Sequence, residues 1–181
     1  MFQPRVKLNF VRHICLPSDG WEVFVDIDAS EEGRTGGLRK SVEAKNRQAA
    51  MKKDAEHVRG SFKQLGVHVG QRTKIWSKIF GSRLPNIRGD RDVIAVHEED
   101  RKVIIAEVEG ESSGQPEQKV YKAIGQIVAA KKECVLEGIN TRFIVVVTPK
   151  LRTHLLRTSV LSTLKIEGVM IGNDGTHEYV Y

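Results

Sequence analysis

The most constraining feature of the chain is a run of five apolar residues, FIVVV, at 143–147. Valine and isoleucine branch at Cβ, which favours the extended backbone of a strand. A strand with apolar residues on both faces is typical of a sheet that is covered on both sides. The segment therefore predicts a layered α/β fold with this strand inside the sheet.

Other strands are predicted from alternating or Val/Ile-rich segments bounded by turn residues. DVIAVH at 92–97 and KVIIAEVE at 102–109 are joined by the polar turn EEDR, which predicts a hairpin. Residues 5–15 and 21–27 alternate around PSDG and predict a second hairpin at the start of the chain. Shorter strands are predicted at 71–80, 143–147, 167–172 and 176–181.

Three helices are predicted from apolar residues spaced by three and four. They span 38–65, with Gly66 as its end, 116–134, with Pro116 in its first turn, and 148–164, with Thr148 as N-cap. After the opening hairpin, the order is helix, strand, strand, strand, helix, strand, helix, strand. This order predicts one α/β domain over 1–181 with a mixed central sheet flanked by helices on both faces.

Charge is distributed unevenly along the chain, whose formal net charge is +6. Residues 34–91 hold fifteen Lys or Arg residues and four Asp or Glu residues. Such a basic region is typical of proteins that bind polyanions, because each Lys or Arg that meets a phosphate releases condensed counterions. A solvated helix face is the other interpretation of the same charges.

The chain lacks a membrane-spanning segment and a cysteine framework, which limits the class of protein. The chain has no apolar segment long enough to span a membrane and no signal-peptide core at its start, so we expect a cytoplasmic or nuclear protein that is not secreted. Cys15 and Cys134 are too few and too far apart for a disulfide scaffold, and we expect both to be core or near-surface thiols.

Three carboxylates follow the pattern of the 92–109 hairpin. Glu107 and Glu109 alternate at the end of the second strand and therefore share one face of it. With the turn at 98–101, Asp92 at the start of the first strand lies opposite residues 107–109. Neighbouring anions persist when a cation or a proton compensates them, and Mg²⁺ prefers such oxygen ligands. The alternative is a solvated strand end.

This arrangement resembles the PD-(D/E)XK, or restriction-endonuclease-like, nucleases. GDRDVIAV and VIIAEVEG are similar to the family motif, with Asp92 as the first acid, Glu107 as the second and Glu109 in the lysine position. The resemblance covers about 38–148 and implies an αβββαβ core, preceded here by the hairpin at 1–30 and followed by a C-terminal helix and strands at 149–181.

The resemblance implies a metal-dependent endonuclease that hydrolyses phosphodiester bonds, with DNA as the expected nucleic acid. Asp92, Glu107 and the backbone carbonyl of Val108 would hold Mg²⁺, or Mn²⁺ in its place. Glu109 would orient or deprotonate water, or ligate a second metal. The basic region 39–91 would position the nucleic-acid backbone. Related nucleases often dimerise to cut two strands, so a homodimer is one of the oligomeric states that stay open.

Polar residues on the predicted helix 116–134 extend the resemblance, because many members place a Gln or Lys there facing the site. Gln118, Lys122 and Gln126 are spaced by four, and Lys122 or Lys119 could replace the charge of the missing motif lysine. The family sometimes adds a carboxylate from its first helix, for which the candidates are Glu43 and Glu56.

Two alternatives of other classes stay open. Because Glu109 replaces the motif lysine, the chain could be an inactive nucleic-acid-binding or structural module with a nuclease-like fold. GESSG at 110–114, with Asp174 and His177 downstream, also fits the G-x-S-x-G motif of serine hydrolases. That interpretation leaves Glu107 and Glu109 unexplained, and its helix would begin too late for a nucleophile elbow.

Overall fold

A mixed sheet organises the chain in the computed structural model, which describes residues 1–28, 30–31, 41–70, 91–111, 115–134 and 138–180. In these ranges the strands are β1 (Glu22–Val25), β2 (His68–Val69), β3 (Val93–His97), β4 (Lys102–Glu109), β5 (Asn140–Val147), β6 (Glu167–Ile171) and β7 (His177–Tyr179). Their order across the sheet is β2-β1-β3-β4-β5-β6-β7. The pairs β1–β2, β4–β5 and β5–β6 are parallel, and the other neighbours are antiparallel.

Helices lie on both faces of this sheet, as the sequence predicts. They are α1 (Gln3–Ile14), α2 (Val42–Gln64), α3 (Pro116–Glu133), α4 (Arg152–Leu156) and α5 (Val160–Thr163), with 3₁₀ turns at Pro17–Asp19 and Pro149–Leu151. Ser41 caps α2 because its hydroxyl accepts the Ala44 N–H at 3.2 Å. Gly66, with φ of 76°, follows the end of this helix, as predicted.

Two apolar layers hold the fold together. On one face of the sheet, Phe10 of α1 and Phe62 of α2 pack against β4 residues such as Ile104. On the other face, Ile127 of α3 packs against Ile105. The FIVVV segment contributes to both layers through alternate residues, which confirms that its strand is covered on both faces.

The β3–β4 hairpin forms in the predicted register. Val93 pairs with Ala106 and His97 with Lys102, so residues 98–101 make the turn. Asp92, just before β3, therefore lies at the same end of the hairpin as Glu107. This register positions the carboxylates described below.

The predicted N-terminal hairpin is wrong in its first half. Residues 5–15 belong to α1 and the turn after it, whereas the strand at 21–27 is present as β1. The alternation of Val6, Leu8 and Phe10 with Lys7 and Asn9 fits a strand as well as a helix, and all five residues are buried in α1.

The predicted helix 148–164 is also broken into shorter pieces. Thr148 precedes the 3₁₀ turn but makes no side-chain cap, and α4 and α5 are separated near Thr158. There Thr158 Oγ1 accepts the Val160 N–H, while the hydroxyls of Ser162 and Thr163 donate to the Ser159 carbonyl. These hydroxyls offer the backbone alternatives to a continuous helix.

Several predictions fall wholly or partly outside the described residues: the strand 71–80, part of the basic region 39–91 and most of GESSG. In the part of the chain that the structure describes, no helix is long and apolar enough to cross a membrane. Cys15 and Cys134 are both buried free thiols, as expected.

Candidate acidic active site

The predicted carboxylates meet at one end of the β3–β4 hairpin. Asp92 precedes β3, and Glu107 and Glu109 are the sixth and eighth residues of β4. All three line one open pocket with a volume of about 440 Å³. The sequence therefore predicts correctly that these acids face a common space.

The pocket lies between the start of α1, the segment after β1, the hairpin and α3. Its walls are predominantly polar and are formed by Gln3, Asp26, Asp28, Ser30, Asp92, Glu107, Glu109, Lys119, Lys122 and Gln126. Carboxylates come from both sides of the pocket, because Asp26 and Asp28 follow β1. The two lysines extend from α3.

Both carboxylate oxygens of Asp92 are held by the protein. Oδ1 lies 2.7 Å from Lys7 Nζ. Oδ2 accepts the backbone N–H of Val108 at 2.8 Å and the Gln3 side-chain amide at 3.4 Å. Val108 thus contacts Asp92 through its amide N–H, whereas the resemblance implies a role for its carbonyl as a metal ligand. Asp92 is fixed in orientation before any ligand binds.

Lys7 is the main residue that the sequence analysis misses. Its side chain is fully buried, and Nζ contacts the Asp26 carbonyl at 2.6 Å, Glu31 at 2.7 Å and Asp92 at 2.7 Å. Burial alone would lower the pKa of Lys7, but the charges of Asp92 and Glu31 raise it above its ordinary value. The ammonium group therefore stays charged inside the protein.

Glu31, the acid partner of Lys7, is buried and lines a small cavity together with Gln3 and Gly110. Burial raises its pKa to about 7, against the opposing effect of Lys7. It also accepts the Asp28 N–H at 2.8 Å, which ties the segment after β1 to α1. Sequence periodicity gave no signal for this contact, because its two ends are 24 residues apart.

Glu107 is buried beside the guanidinium group of Arg91, which lies two residues before β3. Arg91 Nη1 lies 3.2 Å from its Oε1, and both side chains are about 4% exposed. Burial and the nearby charge of Asp92 raise the pKa of Glu107 to about 8, although Arg91 opposes that shift. The surroundings therefore favour the neutral form of this carboxyl group unless a further cation compensates its charge.

Glu109 is buried as well, but its neutralisation is weaker. Lys119 Nζ lies 3.7 Å from Glu109 Oε2, which has no hydrogen-bond partner within the described residues. Burial raises the pKa of Glu109 to about 7, and Lys119 and Lys122 lower it only in part. A buried carboxylate oxygen without a donor is costly, which suggests that it meets a ligand.

The α3 residues fall into two groups. Lys122 and Gln126 line the pocket, as the resemblance implies, and Lys119 lies beside Glu109. Gln118 is exposed and is not among the pocket walls that the structure describes.

The acids predicted from the long helix α2 do not join the pocket. Glu43 is exposed, and Glu56 lies on the solvent face, 4.0 Å from Lys52. The helix whose start does reach the pocket is α1, which the sequence analysis takes for a strand. Its contribution is the amide of Gln3 and the ammonium of Lys7 behind Asp92.

The start of α1 also contacts the end of β4 directly. The Glu111 N–H donates to the Met1 carbonyl at 2.9 Å. A Cβ atom on Gly110 would lie 2.7 Å from the Gln3 Cα, so only glycine fits at this crossing.

The donor set fits a hard divalent cation. Glu107 and Glu109 are buried acids with raised pKa values, and one Glu109 oxygen has no donor in the described residues. In those same ranges, no group of three or more His, Cys, Asp or Glu side chains is arranged to hold a metal ion. Mg²⁺ commonly uses only one or two carboxylates and keeps several waters, so the magnesium site stays a prediction.

The serine-hydrolase alternative has little support at its acid and base. Ser112 and Ser113 lie outside the described residues. Asp174 is exposed and accepts from the Thr176 N–H and hydroxyl at 3.0 and 2.7 Å. His177 lies on β7 with its ring 6.0 Å from that of His13.

Comparison with known proteins adds no relative to this description. No family model matches the chain, and neither a curated protein nor a solved structure matches it. What the pocket does is therefore inferred from its own residues, their contacts and their charges.

Proposed function

We propose that the chain is a divalent-metal-dependent nuclease that hydrolyses phosphodiester bonds of nucleic acid, with DNA as the expected substrate. The observation that carries this proposal is the pocket shared by Asp92, Glu107 and Glu109, in which one buried Glu109 oxygen lacks a hydrogen-bond donor among the described residues. Perturbed, buried acids in an open pocket are typical of functional sites.

The order of elements around the pocket supports the resemblance to the PD-(D/E)XK nucleases. The elements α1, β1, β3, β4, α3 and β5 follow one another as helix, strand, strand, strand, helix, strand, and the four strands are neighbours in the sheet. On this proposal α1 and β1 are the first two core elements, in place of the helix 38–65 and the strand 71–80. The segment containing α2 and β2 is then an insertion in the αβββαβ core.

Each acid has a distinct role in the proposed reaction. Asp92 and Glu107 would hold the cation, because Asp92 is fixed by Val108 and Lys7 and Glu107 is only one strand away. When bound there, Mg²⁺ supplies positive charge that polarises the scissile phosphate and makes a nearby water more acidic. Glu109 would accept the proton of that water, since its carboxyl group lines the pocket and one of its oxygens has no hydrogen-bond donor among the described residues.

Two lysines of α3 would contact the substrate. Lys119 and Lys122 stand at the pocket wall next to Glu109, and ammonium groups bind phosphate oxygens as point charges. Lys122 would thus supply part of the positive charge that the motif lysine provides in other members of the family. Gln126 would orient a phosphate or a water through its amide.

Helix α2 offers a surface for the nucleic-acid backbone. It contains six Lys or Arg residues and three acids, and its buried residues begin only at Ala55. Met51, near the middle of the helix, shares a small cavity beside the pocket with Gln3 and Lys119. A basic helix beside the acids would hold phosphates without reading sequence.

The direct test is cleavage of plasmid, linear and branched DNA by the purified chain in Mg²⁺, Mn²⁺ or EDTA. We expect cleavage in Mg²⁺ or Mn²⁺ only, and a loss of at least about a hundredfold in Asp92→Ala and Glu107→Ala with DNA binding retained. Asp100→Asn is the matched control, because this acid lies at the exposed turn of the same hairpin. Cleavage that survives in EDTA or in both alanine variants would contradict the proposal.

A non-catalytic module is the second candidate, and one observation favours it. Glu109 replaces the motif lysine, and the three N–H bonds of Lys7 are matched by Asp26, Glu31 and Asp92, so Lys7 has no proton left for a water. Such a module would bind DNA through α2 and cleave none in any metal. The experiment above separates the two candidates.

A further inference from the structure

Lys7 stands directly behind Asp92 as seen from the acid pocket. Asp92 lines the pocket, while Lys7 is 0% exposed and contacts the Asp92 oxygen Oδ1 from the side of α1. The carboxylate therefore lies between a permanent cation of the protein and the space that a divalent cation would enter.

The contacts of Lys7 leave it no freedom to move away. Its ammonium group is matched by three acceptors from three parts of the chain, namely the Asp26 carbonyl, Glu31 and Asp92. Moving the ammonium would leave buried carboxylates without a counter-charge, which costs far more than a surface pair. Its positive charge is thus a fixed part of the site.

A fixed cation has two opposite effects on the pocket. It stabilises the crowded acids in the absence of metal, because it offsets the mutual repulsion of Asp92, Glu107 and Glu109. It also repels any second cation that binds to the other side of Asp92, since the interaction of charges falls slowly with distance in a partly buried site.

We propose that Lys7 is a built-in counter-cation that holds the acids together without metal and weakens the affinity of the pocket for divalent cations. The inference rests on the proposed function in one respect, since it takes the acid pocket to be the place where a divalent cation binds. Lys7 is accordingly a positioning residue. It acts on the cation through Asp92 and through its charge.

The test measures Mn²⁺ binding to the full chain at pH 8 by calorimetry, with free Mn²⁺ checked by electron paramagnetic resonance. Lys7→Met should bind Mn²⁺ about tenfold tighter than the unmodified chain, because a repelling charge is removed. Glu31→Gln should bind Mn²⁺ several-fold more weakly, because it removes a negative charge beside Lys7. If Lys7 had a purely structural role, both variants would change in thermal stability but would bind Mn²⁺ with the affinity of the unmodified chain.

Arg5→Met is the matched control. Arg5 is on the same helix and loses the same charge on substitution, but its partner is Asp54, away from the pocket walls. Its Mn²⁺ affinity should stay within about twofold of the unmodified chain. If Lys7→Met does not fold, Glu31→Gln and the charge-balanced pair Lys7→Met with Glu31→Gln decide the question, the pair restoring an affinity near the original.

The outcomes separate this inference from the nuclease proposal. Equal or weaker Mn²⁺ binding by Lys7→Met, unchanged or tighter binding by Glu31→Gln, or no Mn²⁺ binding by any chain overturns the role of Lys7. An affinity order as expected that disappears in Asp92→Ala, combined with no cleavage of DNA, supports Lys7 and overturns the nuclease. If the chain cleaves DNA but all variants bind Mn²⁺ equally, the nuclease proposal is supported and the role of Lys7 is overturned.

Discussion

The β3–β4 hairpin carries carboxylates at both of its ends, in two different surroundings. At the turn, Asp100 is exposed and lies 2.6 Å from Lys102, whose hydrogen bond lowers the pKa of Asp100 below its ordinary value. At the other end, Glu107 and Glu109 are buried, and burial raises their pKa values to about 8 and about 7. The same functional group, a carboxylate, is stabilised as an anion at the turn and penalised as an anion at the pocket.

The different surroundings of these acids show that the free-energy cost of burying a carboxylate arises at the pocket end of the hairpin and not at the turn. Acids at the turn keep most of their hydration, whereas the acids at the pocket lose water and gain incomplete partners. A buried acid that serves only stability is readily replaced by an apolar residue of similar size. The pocket end of the hairpin is therefore the end whose chemistry requires an explanation beyond folding.

The largest expected effect is on the free energy of unfolding when the cation beside each group of acids is removed, Arg91 at the pocket end and Lys102 at the turn. Arg91→Met should lower the free energy of unfolding by about 3 kcal/mol at pH 9, because it leaves ionised Glu107 buried without its partner. The loss should be much smaller at pH 6, where Glu107 is protonated. Urea unfolding at both pH values measures it, with Lys102→Met at the exposed turn as the control that should change little. Equal losses for the two variants would remove the contrast between the ends.

An intermediate effect is expected from neutralising Glu109. Its pKa in the folded chain, about 7, lies above the ordinary value of 4.5, so the stability it contributes is present below pH 4.5 and lost as the pH rises through 7. Glu109→Gln should therefore be more stable than the unmodified chain by about 2 kcal/mol at pH 8.5 and equally stable near pH 4. Unfolding curves at both pH values test this, with Glu99→Gln at the exposed turn as the control variant.

The smallest effect should come from the α3 lysine nearest to the pocket acids. Lys119→Met should raise the pKa of Glu109 further, by less than about one pH unit, because Lys119 at 3.7 Å is only half-buried. Carbon-13 NMR of the Glu109 carboxyl group measures this pKa directly. Lys102→Met, at the other end of the hairpin, should leave the Glu109 titration unchanged.

Local patterns predict the hairpin and the central strands because their cause is local. The Val/Ile-rich segments and the polar turn set the register that brings Asp92 to Glu107, and FIVVV predicts a strand buried on both faces. The shared position of the acids follows from that register and needs no knowledge of the rest of the fold.

Long-range contacts explain why the local sequence does not predict α1. Lys7 and Asn9 make α1 look like an alternating strand, and each is buried through a partner far along the chain, Glu31 or Asp92 for Lys7 and the Gly172 carbonyl for Asn9. Tertiary contacts override the local pattern in such a helix. The alternation at 5–15 therefore does not identify α1 as a helix. It also does not predict that Lys7 of this helix contacts Asp92.

The close crossing at Gly110 has a consequence for how a ligand could enter. Because the backbones of Gln3 and Gly110 touch, α1 and β4 cannot separate without breaking this contact. The distance between Lys7 of α1 and Glu107 of β4 is therefore held constant. The segment of Asp26 is also held, by Lys7 and by the Asp92 carbonyl, so any widening of the entrance must come from the lysine side of α3. A bulky substrate would be accommodated by that wall while the acids stay in place.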